Sequence, residues 1–126
     1  MPVEPLSPDA LVARLVAAVL DVAPAGPGGW TRVLLDGAPS TRPGDLADAL
    51  VDPLRASGRP VVRVHAGDFL RPASVRLEHG RHDADALLDD WLDEGAVRRE
   101  VLAPLGPGGS GRCAGRTGES CRSQAR

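Results

Sequence analysis

The stretch that decides the predicted fold is TRVLLDGAPSTRPGDL, residues 31–46. An apolar run, Val33-Leu34-Leu35, ends at Asp36-Gly37, and a turn-rich loop follows it. A helical pattern of apolar residues then begins near Asp45. A strand, a glycine-bearing loop and a helix in this order build phosphate sites in α/β proteins, because the N–H groups of the loop and the helix N-terminus converge on one place. The stretch therefore predicts an α/β fold with an anion site at this loop.

The loop lacks the side chains with which a Walker A loop holds a nucleotide. That pattern places four residues between its first glycine and a Gly-Lys-Ser/Thr triplet. Counted from Gly37, the triplet positions hold Arg42, Pro43 and Gly44, and the chain contains no lysine. Arg42 either supplies the missing charge or is a solvated loop residue. The loop keeps the backbone pattern of a phosphate site without the groups that reach the β- and γ-phosphates and Mg²⁺.

The composition describes one domain without a strong charge. The chain has 126 residues, a formal net charge of −2 and only 2 % aromatic residues, so aliphatic side chains and alanine must fill its core. The small charge favours neither nucleic acid nor a membrane surface as a partner. No apolar run approaches the roughly 20 residues of a membrane span, and the N-terminus lacks the pattern of a signal peptide. We expect a cytoplasmic protein that binds neither nucleic acid nor a membrane.

Two long helices are predicted in the first half of the chain. Ser7-Pro8-Asp9 is a strong helix start, with a capping serine, a proline at the first position and an acid in the first turn. Apolar residues recur at helical spacing up to about Val22, and the Pro/Gly-rich residues 24–29 end the helix. A second helix is expected over Asp45 to Ser57, kinked or ended early by Pro53.

A second strand is predicted over residues 61–65, where VVRVH is rich in β-branched side chains. A strand, a helix and a strand within about 35 residues imply a right-handed parallel crossover. Ligands bind at the carboxyl ends of the strands in such folds. Residues 36–44 and 66–71 are therefore expected to lie side by side. The sheet that begins at Thr31 is expected to cover the apolar stripe of the first helix.

The segment 66–82 is polar and is predicted to be a loop long enough to cover a substrate. Its arginines, Arg71, Arg76 and Arg81, either line an anionic ligand or are solvated. Asp83 is predicted to cap a helix that carries Trp91 as a core residue. A further turn or two is expected over residues 96–102.

No metal site is predicted. His79 and His82 have the spacing of a metal pair, but no cysteine or third histidine accompanies them. Cys113 and Cys121 lack the paired short spacings of a zinc site. They fall in the last residues, 111–126, which contain no aliphatic side chain larger than alanine and no aromatic one. This tail is predicted to be disordered because it has too little apolar surface to bury.

Three segments carry a resemblance to a known family. They are LLDGAPSTRPGDLADAL, GRPVVRVHAGDFLRPASVRLEHGRH and DDWLDEGAVRREVLAPLGPGGSGR, in this order. Together, over about residues 31–112, they resemble the bacterial uridine kinase-like branch of the uridine kinase family of P-loop kinases. The resemblance implies a parallel sheet with flanking helices. It also implies phosphorylation of the 5′-hydroxyl of uridine or cytidine, with ATP and Mg²⁺.

The same resemblance divides the chain into three parts and implies that it is truncated. Residues 1–30 form an N-terminal helix and linker, residues 31–110 a partial P-loop domain, and residues 111–126 a disordered tail. Family members continue beyond this point, into elements that include the arginines that close on the phosphates.

The resemblance also assigns roles to individual residues. The loop residues implied to bind the nucleotide are Asp36, Gly37, Ala38, Ser40, Thr41, Arg42, Gly44 and Asp45. Those implied to bind the nucleoside are Phe69, Arg71 and Arg76. Gly67 stands where the family keeps an acid that contacts the sugar and acts as the catalytic base. Asp68, one position later, is the candidate for this role, and the alternative for Asp68 is a loop or capping residue.

The family's lysine, Mg²⁺-binding hydroxyl and acid are replaced here by Pro43, Gly44 and Gly67. We therefore expect phosphoryl transfer to be impaired, because the reaction depends mostly on positioning and charge stabilisation. The expected function is therefore that of a uridine kinase-like protein with a weakened or lost activity. Two alternatives stay open. One is a non-catalytic nucleotide- or phosphate-binding or regulatory module, a pseudokinase. The other is a non-functional fragment of a kinase gene.

Overall fold

The computed structural model describes residues 5–24 and 29–112. These residues divide into two compact units, one up to Arg63 and one from Val64 onward. The first unit contains two long helices, and the second contains short helices and turns around a small core. The predicted disordered tail lies outside the described residues, apart from its first two positions.

Helix α1 spans Pro8–Asp21 and begins as the sequence predicts. The Ser7 side chain accepts a hydrogen bond from the Ala10 N–H at 3.2 Å, which satisfies one of the free donors of the first turn. At the other end, the Arg59 guanidinium donates to the Leu20 and Val22 carbonyls at 3.2 and 3.3 Å. Both ends of the helix thus have hydrogen-bonding partners within the first unit.

Helix α2 spans Pro43–Ala56 and begins two residues before the predicted start. Pro53 lies inside it, so of the two predicted effects of this proline, a kink or an early end, the early end is wrong. The helix buries Leu50 and Leu54, and it is the element against which α1 packs. The apolar stripe of α1 therefore lies on a helix instead of the predicted sheet, and it buries no residue fully.

The predicted α/β fold with a parallel P-loop sheet is wrong for this structure. Neither Val33 to Leu35 nor residues 61–65 form a strand, and residues 5–24 and 29–112 contain no sheet. A parallel sheet is stable when helices cover both of its faces. This chain offers only two short candidate strands, and two strands make a marginal sheet at best. Packing α1 directly on α2 uses the apolar surface that would have covered such a sheet.

The second unit is built on short capped helices. The predicted loop 66–82 contains a 3₁₀ turn, Ala66–Phe69, and helix α3, Ala73–Arg76. Helix α4 spans Ala84–Asp89 and helix α5 spans Glu94–Val97, and a π-helical turn, Arg98–Leu102, continues from α5.

Two aspartates start α4 and α5. Asp83 Oδ1 accepts from the Ala86 N–H, and Asp93 Oδ1 accepts from the Ala96 N–H, each at 2.8 Å. Capping by Asp83 and the helical turns over 96–102 are confirmed, but the helix after Asp83 ends at Asp89, and its predicted extension to Trp91 is wrong.

The core of the second unit consists of Phe69, Ala96 and Val101, all at most 7 % exposed. The half-buried side chains around it are Val64, Leu92, Val97 and Leu105. An isolated antiparallel bridge between Leu70 and Leu92 fastens the 3₁₀ turn to the residues before α5. This bridge is the β-pairing found among the described residues, and it is too short to count as a sheet.

The turn after the π-helical segment has no room for a side chain at Gly109. A Cβ atom at Gly109 would lie 2.5 Å from the Ala103 carbonyl oxygen and closer still to that of Pro104. We expect Gly109→Ala to lower the free energy of unfolding by roughly 1–3 kcal/mol, because backbone atoms must shift to admit the methyl group. Urea unfolding followed by circular dichroism measures this change.

Gly95→Ala is the matched control, because its Cβ atom would lie 3.4 Å from Asp93 Oδ1 in ordinary contact. In helix α5 this change should leave stability unchanged or raise it by about 0.5–1 kcal/mol. Equal unfolding midpoints for the two variants would show that the turn tolerates a side chain at residue 109.

Candidate functional site

The residues with implied roles fall into two groups, one in each unit. The loop residues 36–45 belong to the first unit, and Asp68, Phe69, Arg71 and Arg76 belong to the second.

The loop before α2 is closed by its own hydrogen bonds. Asp36 Oδ1 accepts from the Gly37 N–H at 2.8 Å. Residues Pro39–Thr41 form a 3₁₀ turn, in which both the N–H and the hydroxyl of Thr41 donate to the Ala38 carbonyl, at 2.9 and 2.7 Å. A Cβ atom at Gly37 would lie 2.6 Å from Thr41 Oγ1, so the close approach of Thr41 needs a glycine there.

Arg42 is turned toward the helix that it precedes. It has a left-handed backbone, with φ 51°, and its guanidinium forms an ion pair with Asp45 in the first turn of α2. Asp45 places a carboxylate where a bound phosphate would benefit from the helix dipole. The positive charge of Arg42 is thus already matched by an acid, and the predicted substitution of Arg42 for the missing lysine gains no support from this geometry.

These contacts do not fit Mg·ATP. A phosphate cradle needs successive backbone N–H groups aimed at one point, but Pro39 and Pro43 have none, and the N–H groups of Gly37, Thr41 and Arg42 donate within the loop. Ser40 and Ala38 are exposed. The Gly44 carbonyl accepts a hydrogen bond from Arg63 Nη2. No step involving Mg·ATP is derived from this loop.

Arg63 makes contacts that no sequence pattern predicts. Its Nε donates to Asp48 Oδ1 at 2.8 Å, and its Nη2 donates to the Gly44 carbonyl at 3.3 Å. The side chain is 21 % exposed. Arg63 thereby ties the end of the first unit to the N-terminal half of α2. It lies 15 and 19 residues from these partners, so no local pattern predicts the contact.

Asp68 is exposed in the 3₁₀ turn that follows His65. Its N–H donates to the His65 carbonyl at 3.0 Å, and the Gly67 N–H donates to His65 Nδ1 at 3.0 Å. A Cβ atom at Gly67 would lie 2.6 Å from Nδ1, so an acid at this position would displace the imidazole. The imidazole occupies space next to the position where the family resemblance expects an acid.

The implied nucleoside-binding residues lie in two different environments. Phe69 is 5 % exposed and belongs to the core. Arg71 and Arg76 lie at the surface of the second unit with Asp90 and Trp91, and we call these four residues the arginine cluster. The Arg71 N–H donates to the Trp91 carbonyl at 2.9 Å, beside the Leu70–Leu92 bridge.

Side chains complete the cluster. The Arg76 guanidinium lies over the Trp91 ring, 5.1 Å from its centroid, and its Nε donates to the Arg71 carbonyl at 2.8 Å. Arg71 Nη1 lies 3.6 Å from Asp90 Oδ1, which is longer than a good hydrogen bond. Two guanidinium groups and one carboxylate leave the cluster with a net charge of +1. Trp91, predicted as core, is half-buried and carries a cation on its face.

Other kinds of site receive no support from the described residues. Within 5–24 and 29–112, no three histidine, cysteine or acidic side chains group as metal ligands. No helix in the same ranges is long and apolar enough to cross a membrane. Cys113 and Cys121 lie outside the described residues.

In comparisons with protein-family models, with curated proteins and with solved structures, no match to this chain was found.

Proposed function

We propose that this chain is a uridine kinase-like protein that binds a pyrimidine nucleoside, uridine or cytidine, without phosphorylating it. The observation that carries the proposal is the arginine cluster, which joins Arg71 and Arg76 of the family-like segment DFLRPASVR in one place. The resemblance implies nucleoside binding by these two residues. The contacts of Arg76 fix the plane of its guanidinium, which lowers the entropy lost when a ligand binds.

The chemistry of the cluster suits a nucleoside. Guanidinium groups donate several hydrogen bonds and accept none, and a uracil ring and a ribose offer carbonyl and hydroxyl oxygens as acceptors. Among the described residues the Arg71 side chain has a long ion pair as its one partner, and it is 39 % exposed, so it has donors for a ligand. The net positive charge of the cluster favours a nucleoside monophosphate over a free nucleoside.

The loss of phosphoryl transfer follows from the loop of the first unit. The chain has no lysine for the phosphates, Gly44 replaces the hydroxyl that would hold Mg²⁺, and Arg42 is paired with Asp45. Phosphoryl transfer needs charge stabilisation at the transferred group. A pseudokinase that recognises a nucleoside is compatible with these residues.

Titration with uridine, cytidine, UMP and adenosine, followed by amide NMR shifts, tests the binding. We expect UMP and uridine to perturb amides of residues 70–76 and 91, and Arg71→Gln to weaken binding by about tenfold, since a hydrogen bond from a charged donor is lost. Arg99→Gln is the matched control, because Arg99 is 68 % exposed and contacts its neighbour Glu100.

A kinase assay with uridine and Mg·ATP completes the experiment. We expect no UMP above the background of a protein-free sample. Formation of UMP by the purified chain would contradict the loss of transfer. An absence of shifts with every pyrimidine ligand, at concentrations that leave the protein folded, would contradict the binding itself.

A further inference from the structure

The backbone of the segment Arg32–Asp36, RVLLD, makes no hydrogen bond to another backbone group of the described residues. It belongs to no helix or strand of the described residues. The backbone N–H and C=O groups of Arg32 to Leu35 form no hydrogen bond with any described residue. Water can satisfy these groups, but a row of free donors and acceptors is also what a second strand pairs with.

The side chains of this segment favour pairing as well. Leu34 is 89 % exposed and Val33 is 52 % exposed, although both are large and apolar. Valine and leucine without an intervening charge, glycine or proline are typical of segments that join a sheet. The segment was predicted as a strand from its sequence, and it pairs with no strand among residues 5–24 and 29–112.

The charges at its two ends identify the partner. Arg32 and Asp36 lie equally far from Leu34, on opposite sides of it, and their charges are opposite. In an antiparallel pair of two copies centred on Leu34, Arg32 of each copy faces Asp36 of the other. Opposite charges that face each other across a strand pair are stabilising. The segment is therefore complementary to itself.

We propose that two copies of this chain associate by antiparallel pairing of their Arg32–Asp36 segments about a two-fold axis at Leu34. Such an interface is isologous, with the same surface on both copies. On one face of the ribbon, the two Leu34 side chains pair between two Arg32–Asp36 pairs. On the other face, Val33 of each copy pairs with Leu35 of its partner. The segment becomes a strand only in the dimer.

The association is expected to be weak. A pair of five-residue strands buries much less than the surface of a standard stable interface, which is about 1,600 Å². We expect dimers at protein concentrations on the order of 0.1–1 mM and monomers in dilute solution. Sedimentation equilibrium of the full chain over this range measures the association.

Charge exchange tests the pairing. In each of the two symmetry-related pairs, Arg32→Asp places an aspartate opposite Asp36 of the other copy, and Asp36→Arg places an arginine opposite Arg32. We expect each variant to weaken the dimer roughly tenfold, since two attractive pairs become repulsive. The double variant Arg32→Asp/Asp36→Arg restores both pairs with reversed polarity and the original net charge, so it should dimerise like the natural chain.

A cysteine placed at the axis tests the register. In a Cys113→Ser/Cys121→Ser background, Leu34→Cys brings two thiols face to face, about 5 Å apart at their Cβ atoms. Mild oxidation should then join them as a disulfide. Val33→Cys is the control, because its two copies are offset by two residues along the ribbon and lie beyond the reach of a disulfide.

Several outcomes would overturn the proposal. A chain that stays monomeric at about 1 mM, the upper end of the expected range, has no such interface. Failure of the double charge variant to dimerise, or equal oxidation of Leu34→Cys and Val33→Cys, excludes antiparallel pairing centred on Leu34. A mass that rises beyond the dimer indicates open-ended assembly in place of a closed two-fold.

Discussion

Phe69→Ala is expected to unfold the second unit. Phe69 is 5 % exposed and packs with Ala96 and Val101 in a core that has no other aromatic side chain among its buried members. Truncation of a buried phenylalanine costs about 3–5 kcal/mol in transfer energy and cavity formation. A small core that supplies only a few kcal/mol cannot absorb that loss. The helices from α3 to the π-helical turn should therefore lose their hydrogen-exchange protection.

The measurement is amide hydrogen exchange, read separately for the two units. Leu88→Ala is the matched control, because Leu88 is 77 % exposed in the same unit and its truncation should change stability by less than about 0.5 kcal/mol. Retained protection of α5 in Phe69→Ala would show that another set of contacts stabilises the second unit.

Leu54→Ala is expected to destabilise the helix pair of the first unit. Leu54 and Leu50 are the buried side chains of α2, at 7 % and 4 % exposure, while α1 buries none. Removal of a buried leucine side chain costs about 2–5 kcal/mol. Since α1 keeps its helical form mainly by packing on α2, and isolated helices of about 14 residues are marginal in water, both helices should melt together.

Circular dichroism at 222 nm and amide exchange in α1 follow this loss. Leu34→Ala, measured in dilute solution, is the control, because Leu34 is 89 % exposed in the same unit. If the amides of α1 stay protected from exchange in Leu54→Ala while those of α2 lose their protection, the two helices do not depend on each other. The packing described for the first unit would then be too weak to hold α1.

The candidate site residues divide according to how far apart their contact partners lie in the chain. The self-contained loop before α2 could be anticipated in part, because the prolines at 39 and 43 and the missing lysine are visible in the sequence. The acid at position 45 is also visible in the sequence. The ion pair that Asp45 forms with Arg42 at the start of the helix is seen only in the structure, where Arg42 has a left-handed backbone.

The arginine cluster could not be predicted without the fold. Arg76 ends helix α3 and Trp91 lies 15 residues later, in the turn between α4 and α5, so no periodicity relates them. The bridge between Leu70 and Leu92 brings their segments together. The sequence could suggest Arg71 and Arg76 through a family resemblance, but Trp91 was predicted only as an apolar core residue.

The sequence by itself determined where α1, α4 and α5 begin, whereas α2, which has no capping side chain, begins two residues before its predicted start. Ser7, Asp83 and Asp93 cap helices through side-chain contacts with N–H groups three residues away, and such contacts depend on local order alone.

Only the tertiary structure decided whether the apolar runs form strands. A β-branched run becomes a strand when another strand supplies its hydrogen bonds, and that supply depends on the whole chain. Here α1 packs on α2, and Val33 to Leu35 stay unpaired within the described residues. The same sequence pattern that predicts a buried strand thus produces an exposed segment.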